Sequence, residues 1–215
     1  MDIHIKDLSF QEAQENLDYE ERLLKEAHNT SITLRFWEAK YDFVVLGRSN
    51  KAKTEVNIEE CKKNHVPILK RCSGGGTILQ SPGVLNYAII APIKGCLTSI
   101  RKSNHLIMSA IVKELNQIQS GFALQGDSDI TFLSKKCCGN AQKRGQKHFL
   151  FHGCFILKEV DIKKISLYLK HPSKEPEYRK QRSHDAFLCH CPLTQRQVKK
   201  AIQNSMHQLQ IHLNK

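Results

Sequence analysis

The order of the patterned segments limits what this chain can fold into more than any other feature. One helical pattern is followed by several strand-like segments, a second helical pattern, another group of strand-like segments and then helices. Strands that come in groups are joined by turns and pair mainly antiparallel, whereas strict alternation of strands and helices builds a parallel sheet. The sequence therefore predicts an α+β fold with a mixed, mostly antiparallel sheet flanked by helices.

Local signals place the main elements. The segment Ser9–Glu12 has the spacing of a capping box and should begin the first helix. Apolar residues at helical spacing predict a second helix over Ser103–Ile118, and Thr194–Gln197 should cap a third. A short helix is expected over 57–63, with Asn57 as its N-cap. Strands are predicted over Ile32–Trp37, Phe43–Leu46, Val66–Leu69, Val84–Ala91, Phe122–Leu124, Ile130–Leu133 and Phe149–Leu157.

Positive charge is concentrated in the last two fifths of the chain. The protein has 33 Lys and Arg residues against 21 Asp and Glu, a net charge of +12. Residues 1–133 hold 16 basic and 16 acidic side chains, so residues 134–215, with 17 and 5, carry the whole excess. A basic segment of this kind can bind nucleic acid, anionic lipid, or an acidic or phosphorylated ligand. With 7% aromatic residues and no aromatic-basic interleaving, we expect no nucleic-acid partner, and no apolar run is long enough to predict a membrane span.

Eight cysteines are spread over the sequence without any Cys-x-x-Cys pair. The first residues have no basic start followed by an apolar stretch, as a secretory signal would. We therefore expect reduced thiols in a cytoplasmic protein rather than a disulfide framework.

A triple glycine is the first candidate site. It lies in Lys70–Thr77, directly after an arginine and a serine. Consecutive glycines let backbone N–H groups turn toward a ligand without a Cβ in the way, and arginine can bind phosphate or carboxylate through two hydrogen bonds. The segment matches neither a Walker loop nor a dinucleotide fingerprint. A hairpin or loose turn is the alternative interpretation.

Carboxylates and lysines come close together further along the chain. Asp127 and Asp129 are followed by Lys135 and Lys136, a set of charges that suits a phosphate and magnesium site. A polar turn next to a solvated basic pair would give the same pattern. His152 follows an apolar strand-like run, where a histidine is either a ligand or a hydrogen-bonded core residue.

Taken in order, these segments resemble the lipoate–protein ligase family, part of the wider biotin/lipoate A/B ligase group. The matching motifs are Lys70–Thr77, Pro82–Tyr87, Gly126–Asp129, Lys135–Gln142 and His152–Gly153. Upstream, Asn16–Glu21 and Val44–Asn50 look like the family's opening helix and second-strand signature. The resemblance covers roughly residues 10–190, which is most of the chain.

This resemblance implies a fold similar to the catalytic domains of biotin ligases and class II aminoacyl-tRNA synthetases. We expect one catalytic domain over residues 1–215, without the C-terminal accessory domain of larger members. ATP, with Mg²⁺, would activate lipoate as lipoyl-adenylate. A lysine of an acidic acceptor, either a lipoyl domain of a 2-oxoacid dehydrogenase or a glycine-cleavage H protein, would then receive the acyl group. Some relatives obtain the accessory function from a separate polypeptide, which makes such a subunit an implied partner.

The resemblance also implies roles for particular residues. Lys136 would be the catalytic residue that stabilises the activated carbonyl and phosphate, and Asp129 would bind polar atoms of the adenylate or magnesium. The implied adenylate and lipoyl pocket comprises Arg71, Ser73, Gly74, Gly75, Gly76, Thr77, Asn86, Asp129, Gly139, Ala141 and His152. Candidates for the acyl tunnel, for which core packing is an equally good interpretation, are Trp37, Val45, Leu46, Leu85 and Tyr87.

Two further hypotheses concern the cysteines and the basic segment. Related octanoyl and lipoyl transferases use no ATP and carry the acyl group as a cysteine thioester, so such a transferase is the alternative function. We also expect two groups of basic residues to act differently. Lys135, Lys136, Lys143 and Arg144 should border the nucleotide, and Arg179, Lys180 and Arg182 should steer the acidic acceptor.

Overall fold

Residues 1–214, with side chains through residue 213, are described by a computed structural model, and they contain ten strands and seven α-helices. The strands are β1 Asp2–Asp7, β2 Ser31–Glu38, β3 Phe43–Leu46, β4 Ile68–Lys70, β5 Ile78–Gln80, β6 Val84–Pro92, β7 Phe122–Gln125, β8 Asp129–Phe132, β9 Lys135–Arg144 and β10 His148–Ile156. The helices are α1 Ala13–Lys25, α2 Ala52–Glu55, α3 Ile58–Lys63, α4 Ile100–Ile118, α5 Lys163–Tyr168, α6 His184–Phe187 and α7 Gln195–Asn214.

Two sheets organise these strands. The larger has the order β1-β2-β6-β10-β9-β8-β7, and the smaller has the order β4-β3-β5. Within them, the pairs β1–β2 and β3–β4 are parallel and all other neighbours are antiparallel. The predicted α+β class and the mixed, mostly antiparallel sheet are thus confirmed.

Strand β6 lies in the interior of the large sheet, between β2 and β10, and every one of its residues is buried. Leu85, Tyr87 and Ile89 face the main core, to which α4 and α7 contribute, whereas Ala88 and Ile90 pack with residues of α1 on the opposite face. Both faces are covered, so this strand reads as a continuous apolar run instead of an alternating one. No helix within residues 1–214 has the length and hydropathy needed to cross a membrane.

Helix starts were only partly predictable. Thr194–Gln197 does form a capping box, because the Gln197 N–H donates to Thr194 Oγ1 and the Thr194 N–H donates to Gln197 Oε1. The capping box predicted at Ser9–Glu12 is wrong. The Ser9 hydroxyl accepts the N–H of Glu38 at 2.9 Å, and α1 begins at Ala13 without a side-chain cap. Asn57 precedes α3 but gives it no side-chain cap, because its amide donates to the carbonyl of Leu167.

Three strands are absent from the sequence-based prediction. They are β1, β5 and β9. The first lies at the sheet edge and is largely exposed, and the second is only three residues long. The third, Lys135–Arg144, pairs on both sides, yet it is polar and rich in small side chains. A strand that forms part of a cleft wall does not need the apolar alternation by which strands are recognised.

Candidate active site

Two adjoining clefts open on the face of the large sheet that carries α1. The first has an empty volume of about 710 Å³ and the second about 1360 Å³. They share eight lining residues, so they are two parts of one site. The shared residues are Gly76, Thr77, Ile78, Ser128, Asp129, Lys136, Gly139 and Cys154.

Most of the residues singled out in the sequence meet in the first cleft. Those that line it are Arg71, Gly75, Gly76, Thr77, Asn86, Asp129, Lys136, Gly139, Ala141 and His152. Ser73 and Gly74 do not line it: Ser73 is fully buried behind the wall, and the Gly74 carbonyl is hydrogen-bonded to Arg71. Residues of this wall to which no role was given are Leu17, Glu20, Ile78, Gln80, Ser128, Asn140, Gly153 and Cys154.

The candidate tunnel residues divide into two groups. Trp37 and Val45 line the first cleft together with Leu17 and Ile78, which gives one end of it an apolar wall. Leu46, Leu85 and Tyr87 line neither cleft and belong to buried core clusters. For these three, core packing is the correct interpretation.

An ion pair lies where the two clefts meet. The Lys136 ammonium is 2.7 Å from Asp129 Oδ1, and the other carboxylate oxygen of Asp129 accepts a hydrogen bond from the Tyr178 hydroxyl at 2.7 Å. The Asp129 side chain is 9% exposed and that of Lys136 is 27% exposed. The lysine therefore offers a positive charge to the clefts, and a carboxylate fixed by two partners holds it in place.

A β-bulge orients Lys136 toward the site. On β9, Lys136 and Gly139 both face Asp129, although residues three apart in a regular strand lie on opposite faces. The pairing with β8 shifts by one residue at this point: Ile130 pairs with Cys138 and Thr131 pairs with Lys136. Cys137 is the extra residue of this bulge, and its side chain lies in the core. Because of this insertion, Lys136 and Gly139 face the same side of the sheet. A Cβ on Gly139 would be 2.9 Å from the Lys136 ammonium, so the glycine leaves room for the lysine.

Arg71 fixes the conformation of the glycine loop through hydrogen bonds. Its guanidinium donates to the carbonyls of Gly74 at 2.6 Å and Gly76 at 2.8 Å, and to Ser73 Oγ at 2.9 Å. With three carbonyl and hydroxyl acceptors already bound, this arginine organises the loop in addition to lining the cleft. Gly47 packs against the same loop, because a Cβ on it would overlap the carbonyl oxygen of Gly75.

A buried hydrogen-bonded chain forms another part of the wall of the first cleft. Glu20 Oε2 lies 2.5 Å from His152 Nδ1, and His152 Nε2 lies 2.7 Å from Ser73 Oγ. The indole N–H of Trp37 donates to the other oxygen of Glu20 at 2.7 Å. Burial raises the pKa of Glu20, but His152, the nearby Arg35 guanidinium and the Trp37 hydrogen bond together bring it below the ordinary carboxyl value. Glu20 thus ties the histidine to the tryptophan, and neither side chain is free to rotate.

Of the four basic residues expected to border the nucleotide, Lys136 lines both clefts, and Lys135, Lys143 and Arg144 line neither. Arg144 donates to the carbonyl of Leu97 at 2.5 Å and lines neither cleft, so it does not border a nucleotide. Arg179 is 5% exposed, and both its guanidinium and that of Arg182 stack on Phe187. Of the proposed docking residues, Lys180 is exposed and Arg182 is half-buried. These arginines stabilise the segment that forms a wall of the second cleft, and the burial of Arg179 argues against a docking role for that residue.

The cysteines of the clefts are poor candidates for a nucleophile. Cys154 lines both clefts and Cys138 lines the second. Burial raises the pKa of both thiols above the ordinary value. Burial also raises the pKa of Cys72 next to the glycine loop. A thiolate is the reactive form of cysteine, and it is disfavoured at all three positions.

No group of three or more His, Cys, Asp or Glu residues that could hold a metal ion occurs within residues 1–214. Among the eight residues that the structure shows lining both clefts, Asp129 is the one carboxylate. Each of its oxygens has one hydrogen-bond partner, and a carboxylate has about four lone-pair sites in all. It can therefore supply one ligand to a magnesium ion whose other ligands come from phosphates and water.

Comparison with known proteins links this site to one family. The model of the lipoyl protein ligase A/B catalytic domain matches residues 12–207. A probable lipoate-protein ligase A from Mycoplasma genitalium is 28% identical over 156 residues, which cover 72% of this chain and 45% of that protein. Octanoyltransferase LipM from Carboxydothermus hydrogenoformans is 29% identical over 186 residues, covering 77% of this chain and 68% of that protein. The chain spans about half the length of the lipoate-protein ligases that it matches.

Solved structures share the fold. A bi-partite lipoate protein ligase of Thermoplasma acidophilum, studied with its E2 lipoyl domain, superposes with a TM-score of 0.84 at 20% identity, covering 98% of this chain and 84% of that one. A lipoate-protein ligase A bound with ATP gives a TM-score of 0.81 at 19% identity, with 98% and 86% covered. Biotin protein ligase from Leishmania major gives 0.54 at 13% identity, with 98% and 74% covered. The expected similarity to biotin ligases is confirmed at the level of fold.

Proposed function

The chain belongs to the family of lipoyl protein ligase A/B catalytic domains, and we propose that it is a lipoate–protein ligase. In this reaction the lipoate carboxylate attacks the α-phosphorus of ATP, pyrophosphate leaves, and lipoyl-adenylate forms. A lysine amine of the acceptor then attacks the lipoyl carbonyl, and AMP leaves. The observation that carries the proposal is the Lys136 ammonium at the junction of two clefts, the first of which has an apolar end.

Each cleft suits one of the two substrates. The first is apolar at the end lined by Leu17, Trp37 and Val45, as an acyl chain with a terminal dithiolane requires. The second is lined by Gly76, Lys174 and Arg179, which suit the phosphates of a nucleotide, and by apolar side chains such as Val84 and Ile156, which suit its base. Solved ligases of this fold have been described with bound lipoic acid and with ATP. We therefore assign lipoate to the first cleft and ATP to the second.

Lys136 would act at the point where the two substrates react. Negative charge builds up on the phosphoryl oxygens as the carboxylate attacks, and a fixed ammonium stabilises that charge without reorganising. The rigid support from Asp129 and Tyr178 lowers the cost of positioning the lysine. The Mg²⁺ that accompanies ATP would neutralise phosphate charge, with Asp129 as its protein ligand.

The acceptor and any accessory subunit are part of the proposal. A lipoyl domain of a 2-oxoacid dehydrogenase or a glycine-cleavage H protein would present the target lysine, and the relative from Thermoplasma acidophilum was studied with such a domain. That relative is described as bi-partite, so a second polypeptide is a candidate partner here too. Arg179 is buried, so the residues of this chain that would face an acidic acceptor must include others.

A pyrophosphate-release assay tests the proposal. The full chain should release pyrophosphate from ATP when lipoate is added and should then modify an isolated lipoyl domain. Lack of lipoate-dependent pyrophosphate release, combined with acceptor modification from an octanoyl or lipoyl carrier protein alone, would contradict it.

Such a result would support the alternative, an ATP-independent octanoyl or lipoyl transferase, for which Cys154 is the cysteine at the junction of the clefts. We expect Cys154→Ser to keep at least half of the wild-type ligase rate, because the thiol is buried and its pKa is raised. The variant should be assayed for lipoate-dependent pyrophosphate release next to Cys96→Ser, a change at an exposed cysteine. Complete loss of activity in Cys154→Ser alone would favour the transferase.

Tyr178→Phe should lower the maximal rate of adenylation about tenfold, since a hydrogen bond to a charged group contributes roughly 1.5–3 kcal/mol. The change removes the hydroxyl that fixes Asp129 and keeps the ring that packs on Phe187. The effect should fall on kcat rather than on the KM for lipoate, because Tyr178 does not line the lipoate cleft. Tyr168→Phe, a buried tyrosine that lines neither cleft, is the matched control. Equal kinetics in both variants would show that Asp129 needs no such support.

A further inference from the structure

Three cysteines lie together beside the strand that carries Lys136, outside the clefts. Cys137 is the bulge residue of β9, and Cys189 and Cys191 lie on the segment between α6 and α7. The N–H of Cys189 donates to the carbonyl of Lys136 at 2.9 Å, and the N–H of Cys191 donates to the carbonyl of Ile156 at 2.6 Å. Backbone hydrogen bonds therefore hold both residues against the sheet, and the parallel bridge between Lys136 and Leu188 places Cys137 and Cys189 side by side.

The three thiols differ in access to solvent. Cys137 and Cys191 are completely buried, whereas Cys189 is only partly buried. The Cys189 thiol is 3.4 Å from the carbonyl oxygen of Lys135. A small oxidant can reach this thiol, and Cys137, its neighbour across the parallel bridge, lies in the core cluster against which Cys189 packs. This combination of an accessible thiol and a neighbouring second thiol is what a reversible disulfide requires.

The electrostatics of the cluster favour the same order of events. The hydrogen bond with Cys137 lowers the pKa of Cys189, and the same contact raises the pKa of Cys137. Cys189 therefore has the greater thiolate character, and Cys137 remains the protonated partner. Burial instead raises the pKa of Cys61, Cys72 and Cys154, which makes those thiols less reactive.

We propose that Cys189 and Cys137 form a peroxide-reactive pair that closes to a reversible disulfide. The Cys189 sulfur attacks hydrogen peroxide, the O–O bond breaks, and Cys189 sulfenic acid and one water result. The Cys137 sulfur then attacks the Cys189 sulfur, the S–S bond forms, the S–O bond breaks, and its oxygen leaves as a second water. Two thiols and one peroxide thus give one disulfide and two waters.

This pair is favoured over the other two pairings in the cluster. Cys137 and Cys191 are both buried, so neither thiol would meet the oxidant first. Cys189 and Cys191 are only two residues apart, and each is tied to a different strand by its backbone N–H. The disulfide would fasten the segment after Leu188, which lines the second cleft, to the strand of Lys136. The proposal itself does not depend on which reaction the clefts catalyse.

Mass-spectrometric mapping tests the proposal on the full chain carrying Cys96→Ser, which removes the exposed cysteine. The reduced protein is treated with a small excess of hydrogen peroxide, alkylated, and digested without reductant. We expect a peptide that contains Cys137 joined to Cys189, and titratable thiols that fall from seven to five and recover with dithiothreitol.

A second variant separates this pair from general oxidation. With Cys189→Ser added, the six remaining thiols should stay at six under the same treatment. Matching loss of thiols in this variant would overturn the proposal, and so would Cys189 converted to sulfinic acid without a cross-linked peptide. If Cys189→Ser fails to fold, the cross-linked peptide in the parent protein still decides the matter.

Discussion

Lys136→Ala should abolish adenylate formation, lowering its rate by roughly 10²–10³-fold, the usual effect of removing one group that stabilises transition-state charge. Lys136 is the cation at the point where the two clefts join, and an ion pair with Asp129 fixes its position. Loss of the ammonium leaves the charge on the reacting phosphate without its protein partner. Lipoate-dependent pyrophosphate release measures this step directly, apart from transfer to the acceptor.

A neighbouring lysine provides the control. Lys135→Ala removes the same charge one residue away, at an exposed position that lines neither cleft, and it should keep most of the activity. Because Asp129 is buried, Lys136→Met is a useful second variant: its unbranched side chain can keep the packing on Gly139 while the charge is lost. Wild-type-like adenylation by Lys136→Met would contradict the proposed role of the lysine.

The position of Lys136 shows how far the sequence could lead. A lysine and an aspartate seven residues apart, with glycines before and after them, suggested an anion site, and most of the residues singled out do meet in one cleft. Their orientation depends on the bulge at Cys137, which no local pattern reveals, because a strand this polar shows no alternation from which a shift could be detected. The chemistry was predictable, but the geometry that makes it work was not.

Contacts between distant segments were the other limit. Tyr178 donates to Asp129 across 49 residues of sequence, and Glu20 reaches His152 across 132. Neither pairing leaves a spacing signal in the chain. The basic cluster at 179–182 illustrates the opposite error: the charges were counted correctly, yet stacking on Phe187 buries one guanidinium and partly buries the other. Net charge predicts a docking surface only where the side chains reach solvent.

Gly47→Ala should damage the site without touching any group that reacts. A Cβ on Gly47 would overlap the carbonyl oxygen of Gly75, and a backbone atom cannot move aside as the end of a long side chain can. The loop would have to shift, and with it Gly76 and Thr77, which line both clefts. We expect a loss of roughly 1–3 kcal/mol in the free energy of unfolding, as for other overpacked sites. The KM for ATP and the KM for lipoate should each rise about tenfold, which corresponds to a loss of about 1.4 kcal/mol in the free energy of binding.

Gly74→Ala is the matched substitution in the same loop. A Cβ there would meet nothing within 4 Å, and Gly74 does not line the first cleft. This variant should keep wild-type kinetics, and its stability should be unchanged or slightly higher, because alanine restricts the unfolded chain more than glycine does. Thermal unfolding and substrate titration should be measured on both variants. The comparison separates the clash at Gly47 from any destabilisation that alanine itself causes at this loop. Equal behaviour of Gly47→Ala and Gly74→Ala would mean that the loop tolerates displacement, and that its backbone does not set the affinity of the site.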